Sequence, residues 1–333
     1  MIKASYWERI LQIIHNGNKF ILTTHINPDG DAIGSEIALA KFLVNRNKQV
    51  SIINISPTST NYKFLDPQDE ILVFDQHNHS HLISNADAVL IVDISDWKRL
   101  GKLGSSIKQS TAIKICIDHH HLEEKFADID IICEDACSTG ELIYEFLTFA
   151  KCKINDKIAE ALYTCILTDT GSFRFSNTTA LTHQIASQLI SAGVNATEIY
   201  QQVYERNSQS KILLMGKALN EIKYECDGKL AWFYITQKMF QEAKAQKWDT
   251  EGFPEIPRTI DGVEVSLMFT ELEDKNVKIS LRSKGKIVIN KVATKFGGGG
   301  HNFAAGAVIE KPLKETIPLV LEETKKTIWA YSS

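Results

Sequence analysis

FILTTHINPDGDAIGSEIALAKFLVNRNKQVSIINI, residues 20–55, reads as strand, loop, helix and strand. FILTTH (20–25) and QVSIINI (49–55) are apolar and β-branched, the composition of a buried strand. Between them, GSEIALAKFLVNRN (34–47) carries apolar residues at helical spacing. The loop after the first strand holds His25, Asp29 and Asp31, and Pro28 and Gly30 punctuate it so that both carboxylates can turn inward. Gly34 and Ser35 open the helix, whose positive end suits a phosphate oxygen. An Asx-rich turn capping a helix would explain this string alone, but the pattern recurs. AVLIVD (88–93) ends in Asp93, and AIKICIDHH (112–120) ends in Asp118, His119 and His120. After a helical stretch, CILTDTG (165–171) also reads as a strand end, carrying Asp169.

Strands alternating with helical patterns predict a parallel sheet with covering helices. Ligand sites in such sheets form outside the carboxyl ends of the strands, so His25, Asp29, Asp31, Asp93, His119 and Asp169 can converge on one crevice. Oxygen and nitrogen donors without thiolate suit Mn²⁺ or Mg²⁺ first, Fe²⁺ or Zn²⁺ less well. Four Asp in one cleft repel one another without cations, so two divalent ions are expected rather than one. That is the constellation of a two-metal phosphoryl hydrolase. Asp93, ending a buried strand, is the candidate bridge between the ions. Arg99 either touches phosphate or ties down its own loop. Thr168, Thr170 and Gly171 shape the turn at Asp169, and Arg174 is placed to neutralise substrate phosphate. DQHNHSH (75–81) follows a short strand pattern, EILVF, and has loop composition; its three histidines, His77, His79 and His81, are the weaker candidate for a second metal site.

Four strings, HINPDGDAIGS (25–35), VDISDWKRLG (92–101), IDHHH (117–121) and LTDTGSFRFSNTT (167–179), resemble in order the signatures of the DHH phosphoesterases. A fifth, KFGGGGHNFAAG (295–306), resembles the nucleotide-binding motif of the small domain that accompanies many of them. The resemblance covers about residues 1–330 and is greatest to the nanoRNase group, bifunctional oligoribonucleases and pAp phosphatases. It implies that His25, Asp29, Asp31, Asp93, His119 and Asp169 hold metal. It makes His120 a phosphate contact or a proton donor to the leaving group, with Asp118 fixing an imidazole tautomer and His121 outside the site. Arg282, in SLRS, would grip the far phosphate of a nucleotide, while Gly298, Gly299 and Gly300 let a ligand approach the main chain beside His301. The implied substrates are RNA dinucleotides, very short RNA oligonucleotides and 3′-phosphoadenosine 5′-phosphate (pAp), held across an interdomain cleft by a homodimeric enzyme. A cyclic or linear dinucleotide signalling phosphodiesterase is the rival reading, and an inactive nucleotide sensor a lesser one. Long single-strand exonucleases of this superfamily usually add a further domain, and the glycine-rich motif argues against a family-II pyrophosphatase.

With 333 residues, 44% of them hydrophobic, two domains are the natural expectation. The expected division is 1–195 for an α/β phosphoesterase domain, 196–227 for a helical linker, and 228–333 for a smaller mixed α/β domain closing with a helix at about 312–330. A net charge of −4 argues against coating long nucleic acid. Six cysteines without a CxxC pair read as reduced structural thiols. The first residues lack a signal-peptide core and no stretch approaches a membrane span, so a cytoplasmic, soluble protein without membrane partners is expected.

Overall fold

The computed structural model describes residues 2–122 and 124–331 and divides into two compact units, 1–206 and 207–333. The first holds strands β1 (Lys19–Thr23), β2 (Gln49–Asn54), β3 (Ile71–Val73), β4 (Ala88–Val92), β5 (Ile113–Asp118) and β6 (Ile129–Ile132). Its helices are α1 (Ala4–Asn16), α2 (Gly30–Val44), α3 (Gln76–Ser84), α4 (Gly101–Gln109), α5 (Thr139–Phe149), α6 (Asp156–Asp169), α7 (Ala180–Ser191) and α8 (Ala196–Tyr204). All six strands are parallel, in the order β3-β2-β1-β4-β5-β6. Strand alternation sends Leu22, Leu90, Val92 and Ile117 into a core against α1, α2, α5 and α6, while Ile21, Val89, Ile91 and Cys116 join a second core against α3 and α4. Both faces are covered, which is why β4 is buried at every position. The chain reverses its direction of winding between β1 and β4, and the crevice at such a switch point is where ligands of doubly wound sheets bind.

Helices α2 and α6 touch along a seam of small side chains. A Cβ at Gly34 would lie 2.4 Å from the Ala161 carbonyl oxygen and 2.5 Å from Cys165 Sγ. Only glycine permits that approach, and it draws the N-terminus of α2 toward the C-terminus of α6.

The second unit contains helices α9 (Gln209–Leu219), α10 (Gln237–Ala243), α11 (Asn290–Lys295) and α12 (Leu313–Ala330). Its strands are β7 (Lys223–Glu225), β8 (Leu230–Ile235), β9 (Val265–Glu271), β10 (Val277–Ser283), β11 (Gly299–His301) and β12 (Ala304–Ile309). They form one mixed sheet, β11-β12-β10-β9-β8-β7, parallel only between β8 and β9. Helices α11 and α12 pack on one face; α9 and α10 pack on the other. No helix among the described residues is long and apolar enough to cross a membrane.

The α/β architecture agrees with the sequence reading, and several local expectations are corrected. CILTDTG is not a strand: α6 runs through to Asp169, and its segment Ala161–Leu167 is buried on every side. A helix without a polar face leaves the same apolar run as a buried strand. The helix after the first motif begins at Gly30 rather than Gly34, so Asp31 lies in its first turn and not in a loop. Residues 75–81 are not a loop: Asp75 caps α3 by accepting from the Asn78 N–H at 2.8 Å. Residues 223–225, grouped with helices from the sequence, are the edge strand β7. In the stretch 196–227, α8 belongs to the first unit and α9 to the second.

Candidate metal centre and phosphate site

The carboxyl ends of β1, β4 and β5 present His25, Asp93 and the Asp118–His119–His120 run. The N-terminus of α2 adds Asp29, its N-cap, and Asp31, while α6 ends on Asp169. Asp93 follows β4 with a left-handed φ of 58° and donates its N–H to the Ile117 carbonyl at 3.1 Å. Such a backbone is uncommon outside glycine and marks a constrained position. It turns the buried carboxylate across the strand ends, where Asp93 Oδ2 lies 3.3 Å from His25 Nε2 and Oδ1 lies 3.7 Å from His119 Nε2. His119 Nε2 is also 3.5 Å from Asp169 Oδ2 and 3.9 Å from Asp31 Oδ2. Three trios have donor atoms within 4.8 Å of one another: His25–Asp29–Asp93, Asp31–His119–Asp169 and Asp93–His119–His120. All six residues read as ligands from the sequence thus come together, and His120 is a seventh within reach.

Hydrogen bonding orients the imidazoles. His25 Nδ1 lies 2.9 Å from the Ile26 carbonyl and His119 Nδ1 lies 3.3 Å from the Ala136 carbonyl. A carbonyl can only accept, so each Nδ1 carries the proton and each Nε2 lone pair faces the carboxylates. His119 Nε2 is buried without a hydrogen-bond partner. An orphaned lone pair facing three carboxylates, each too far for a good hydrogen bond, fits an interposed cation, and Nδ1–H bonded to backbone is the usual support of a metal-binding histidine. The donor set fits a divalent ion.

Charge repulsion says the same. Burial, then the neighbouring carboxylates Asp31, Asp29, Asp118 and Asp169, hold the Asp93 carboxyl well above its usual range. Burial, with Asp29 adding to it, raises Asp31, and burial with Asp31 and Asp29 raises Asp169 to about 8. Burial lowers His25, whereas at His119 burial is outweighed by the charges of Asp169 and Asp31, which raise it. With these carboxyls held above their usual range, bound divalent cations would return them to their ionised form. At Asp118, burial opposes ionisation, but the hydrogen bonds and charge of His120 overcome it and hold the carboxyl low.

Some functional partners carried no signal strong enough to be singled out. The N-terminus of α5 grips Asp31: the Thr139 N–H donates to Oδ2 at 2.7 Å and the Gly140 N–H to Oδ1 at 2.9 Å. Thr139 Oγ1 donates to Asp93 Oδ1 at 3.2 Å. Ser138 caps this helix, and the target of its N–H groups is not legible in the sequence. Asn177 donates from Nδ2 to the Asp169 carbonyl at 3.1 Å and to the Cys137 carbonyl at 2.9 Å, fixing the turn after α6.

His120 Nδ1 contacts Asp118 Oδ1 at 2.7 Å, so Asp118 orients the imidazole. The Arg99 carbonyl accepts from the Ile26 N–H at 2.9 Å, tying its loop to the His25 loop, and its guanidinium is near enough to oppose protonation of His25. Arg174 is exposed and donates from Nε to the Gly171 carbonyl at 2.7 Å. His121 is exposed and pairs with Glu134 at 2.7 Å, outside all three trios. His77, His79 and His81 also fall outside them; His79 Nδ1 accepts from the Asp75 N–H at 2.9 Å.

In the second unit, Arg282 Nε meets Glu255 Oε1 at 2.5 Å, a pairing that the sequence reading missed. Gly299–His301 form the exposed strand β11. A Cβ at Gly298 would lie 2.1 Å from the Gly306 carbonyl oxygen and one at Gly300 2.5 Å from that of Ala304, whereas Gly299 faces open space. Two of the three candidate ligand-approach glycines are therefore demanded by the neighbouring strand β12, and Gly299 alone leaves a clear approach.

Residues 19–168 match the DHH family N-terminal domain, and residues 227–330 match the DHHA1 domain. The chain belongs to the DHH family. It is similar to the bifunctional oligoribonuclease and PAP phosphatase NrnA of Thermus thermophilus, with 27% identity over 97% of this chain and 95% of that protein. The Bacillus subtilis protein of the same name is 29% identical over 90% of this chain and 92% of its own length. A crystal structure of an exopolyphosphatase-related protein from Bacteroides fragilis is 31% identical and gives a TM-score of 0.93, covering 98% of this chain and 97% of that one.

Proposed function

We propose that this chain is a divalent-metal-dependent phosphoesterase that cleaves RNA dinucleotides and very short oligonucleotides to 5′-mononucleotides and removes the 3′-phosphate of pAp. The observation that carries the reading is the pair of trios His25–Asp29–Asp93 and Asp31–His119–Asp169, linked by Asp93 Oδ1 lying 3.7 Å from His119 Nε2, in a chain similar to oligoribonuclease and PAP phosphatase proteins over nine-tenths of its length. When bound, two divalent ions supply electrophilic stabilisation of the phosphoryl transition state and activation of water. Mn²⁺ is favoured over Mg²⁺ because imidazole nitrogens sit among the oxygen donors.

The chain's own groups do the rest. Asp93 faces both His25 and His119 with different oxygens, the disposition of a bridging carboxylate. The N-terminus of α5 holds Asp31 in one orientation through two backbone hydrogen bonds. His120 Nδ1 contacts Asp118 Oδ1 at 2.7 Å, which orients the imidazole as the proton donor to the departing oxygen. Arg174 and Arg99 offset phosphate charge, and Arg282, Gly299 and His301 of the second unit bind the nucleotide.

Side-by-side assay of the Mn²⁺-loaded protein on pAp, pApA, pGpG and cyclic di-AMP tests this. Release of AMP from pAp and of mononucleotides from the linear dinucleotides is expected. Turnover of cyclic di-AMP alone would replace the reading with a signalling phosphodiesterase, and no turnover of any substrate would sink it.

A further inference from the structure

Two strand ends at the metal centre are held together by side chains where the sheet ladder stops. The last paired residues of β1 are Thr23, with Ile91 of β4, and Leu22, with Ile52 of β2. Beyond them the Thr24 hydroxyl donates to the Val92 carbonyl at 2.8 Å, and the Thr24 N–H donates to Asn54 Oδ1 at 3.3 Å. Asn54, the last residue of β2, donates in turn from Nδ2 to Glu36 Oε2 on α2 at 2.8 Å. A backbone N–H can only donate, so the Asn54 amide has one orientation, its oxygen on Thr24 and its nitrogen on Glu36. Thr24, Asn54 and Glu36 are all fully buried.

This buried run passes beside every member of one trio. Thr24 immediately precedes His25, Val92 immediately precedes Asp93, and Glu36 lies in the second turn of the helix that Asp29 caps. The peptide linking Val92 to Asp93 is held at both of its polar atoms: the Thr24 hydroxyl takes the carbonyl oxygen, and the Ile117 carbonyl takes the N–H at 3.1 Å. From that peptide the left-handed Asp93 turns its carboxylate toward His25. A left-handed backbone outside glycine persists only where its surroundings over-determine it, and the Thr24 hydroxyl is one such constraint. The links depend on one another. Without Glu36, the Asn54 amide loses the partner that fixes it, and Thr24 loses a fixed acceptor.

We propose that Thr24, Asn54 and Glu36 are positioning residues for the His25–Asp29–Asp93 half of the metal centre. They act through the backbone of His25 and Asp93 and touch neither ion nor substrate. By pinning the strand ends on both sides of β1, they fix the separation of His25 Nε2 and Asp93 Oδ2, 3.3 Å in the structure, and so set the affinity of that half for a divalent ion. The Asp31–His119–Asp169 half takes its geometry from the N-terminus of α5 and from the α2–α6 seam. The two halves thus stand on separate supports. This deepens the proposed function and rests on its assignment of two divalent ions to the centre.

Calorimetric titration of the metal-free full chain with Mn²⁺ tests the three residues without any substrate. Thr24→Val keeps the branched shape and removes the hydroxyl. It should weaken one of the two Mn²⁺ affinities by about tenfold or more, the scale on which groups behind metal ligands act, and leave the other close to wild type. Thr24→Ser returns the hydroxyl and should restore the lost affinity. At the far end of the run, Glu36→Met should weaken the same affinity, whereas Glu36→Gln keeps an acceptor for the Asn54 amide and should not. Methionine fills the volume of Glu36 and removes a buried carboxyl, so this variant folds even if Thr24→Val does not. Raising Mn²⁺ to saturation should return activity toward wild type in both weakened variants, which a misfolded site would not allow. Two wild-type affinities in Thr24→Val or Glu36→Met, equal weakening of both ions, or no difference between Glu36→Met and Glu36→Gln would overturn the proposal. Failure of the wild type to bind two Mn²⁺ ions would sink the metal centre and this proposal together. Failure to hydrolyse pApA or pAp, with the Mn²⁺ pattern intact, would sink the proposed activity and leave the positioning role standing.

Discussion

Asp93 concentrates the physical conflict of the first unit in one side chain. It is buried, its backbone is left-handed, and four other carboxylates press on it. Asn keeps the shape and tolerates the same backbone. Asp93→Asn should bind fewer than two ions by elemental analysis and lose about a thousandfold or more in activity, the scale of removing a central electrostatic group. The metal-free variant should melt higher than metal-free wild type at neutral pH, because the repelled charge is gone. Full metal occupancy in the variant would exclude a bridging role. Glu36 poses a similar question away from the metal ligands. Burial raises its carboxyl to about 8 despite the Asn54 amide that donates to it at 2.8 Å. The folded state then holds its proton over a range in which the unfolded chain has released it. Stability from this group is complete below about pH 4.5 and drains away as pH rises toward 8. Glu36→Gln should remove that loss, so the stabilities of variant and wild type should diverge between pH 5 and pH 8, by on the order of a few kcal/mol, and their melting temperatures with them. Parallel melting curves across that range would show that Glu36 ionises freely. Residue types are what a sequence displays best, and the carboxylates and imidazoles at strand ends were legible. The Glu255–Arg282 pairing was not, because it joins a short turn to a strand.

At the scale of elements, the contact between α2 and α6 sets the geometry of the metal centre. Asp31 rides on the first turn of one helix and Asp169 on the last of the other, and the Gly34 seam holds them together. Gly34→Ala must push the helices apart, because the added carbon meets a backbone oxygen rather than a flexible side chain. We expect a cost of about 1–3 kcal/mol and a weaker divalent-ion affinity, measured by thermal melting and metal titration. A lower melting temperature with unchanged metal affinity would show that the seam supports the fold and not the site. The sequence conveyed a helical stretch before residue 165, yet 165–171 read as a strand, since a helix buried all round has no polar stripe to betray its period. The grip of α5 on Asp31 was hidden for a different reason. Backbone N–H groups have no sequence identity, and where a helix N-terminus points is set by how the helix docks.

For the whole molecule, labour should divide between the two units. Arg282 and His301 lie in the second, and all six proposed ligands lie in the first. Arg282→Ala or His301→Ala should leave metal content unchanged and reduce kcat/KM on dinucleotides, each lost charge-assisted hydrogen bond being worth about 1.5–3 kcal/mol. Loss of metal in either variant would contradict that division. A net charge of −4 offers no sustained attraction to a long polyanion, so the rate should fall as RNA lengthens from dinucleotide to 20-mer, and an equal rate across that series would refute the preference for short substrates. What the sequence by itself determined was local: the alternation of strand and helix, the donor types at strand ends, and the strings that place the chain in its family. Tertiary structure decided which of those donors face one another. Asp31 and Asp169 stand 138 positions apart, and they share a trio with His119 because α2 and α6 close on glycine. Periodicity reports which face of an element is buried; only packing fixes what that face is buried against, and a metal centre depends on distances between elements.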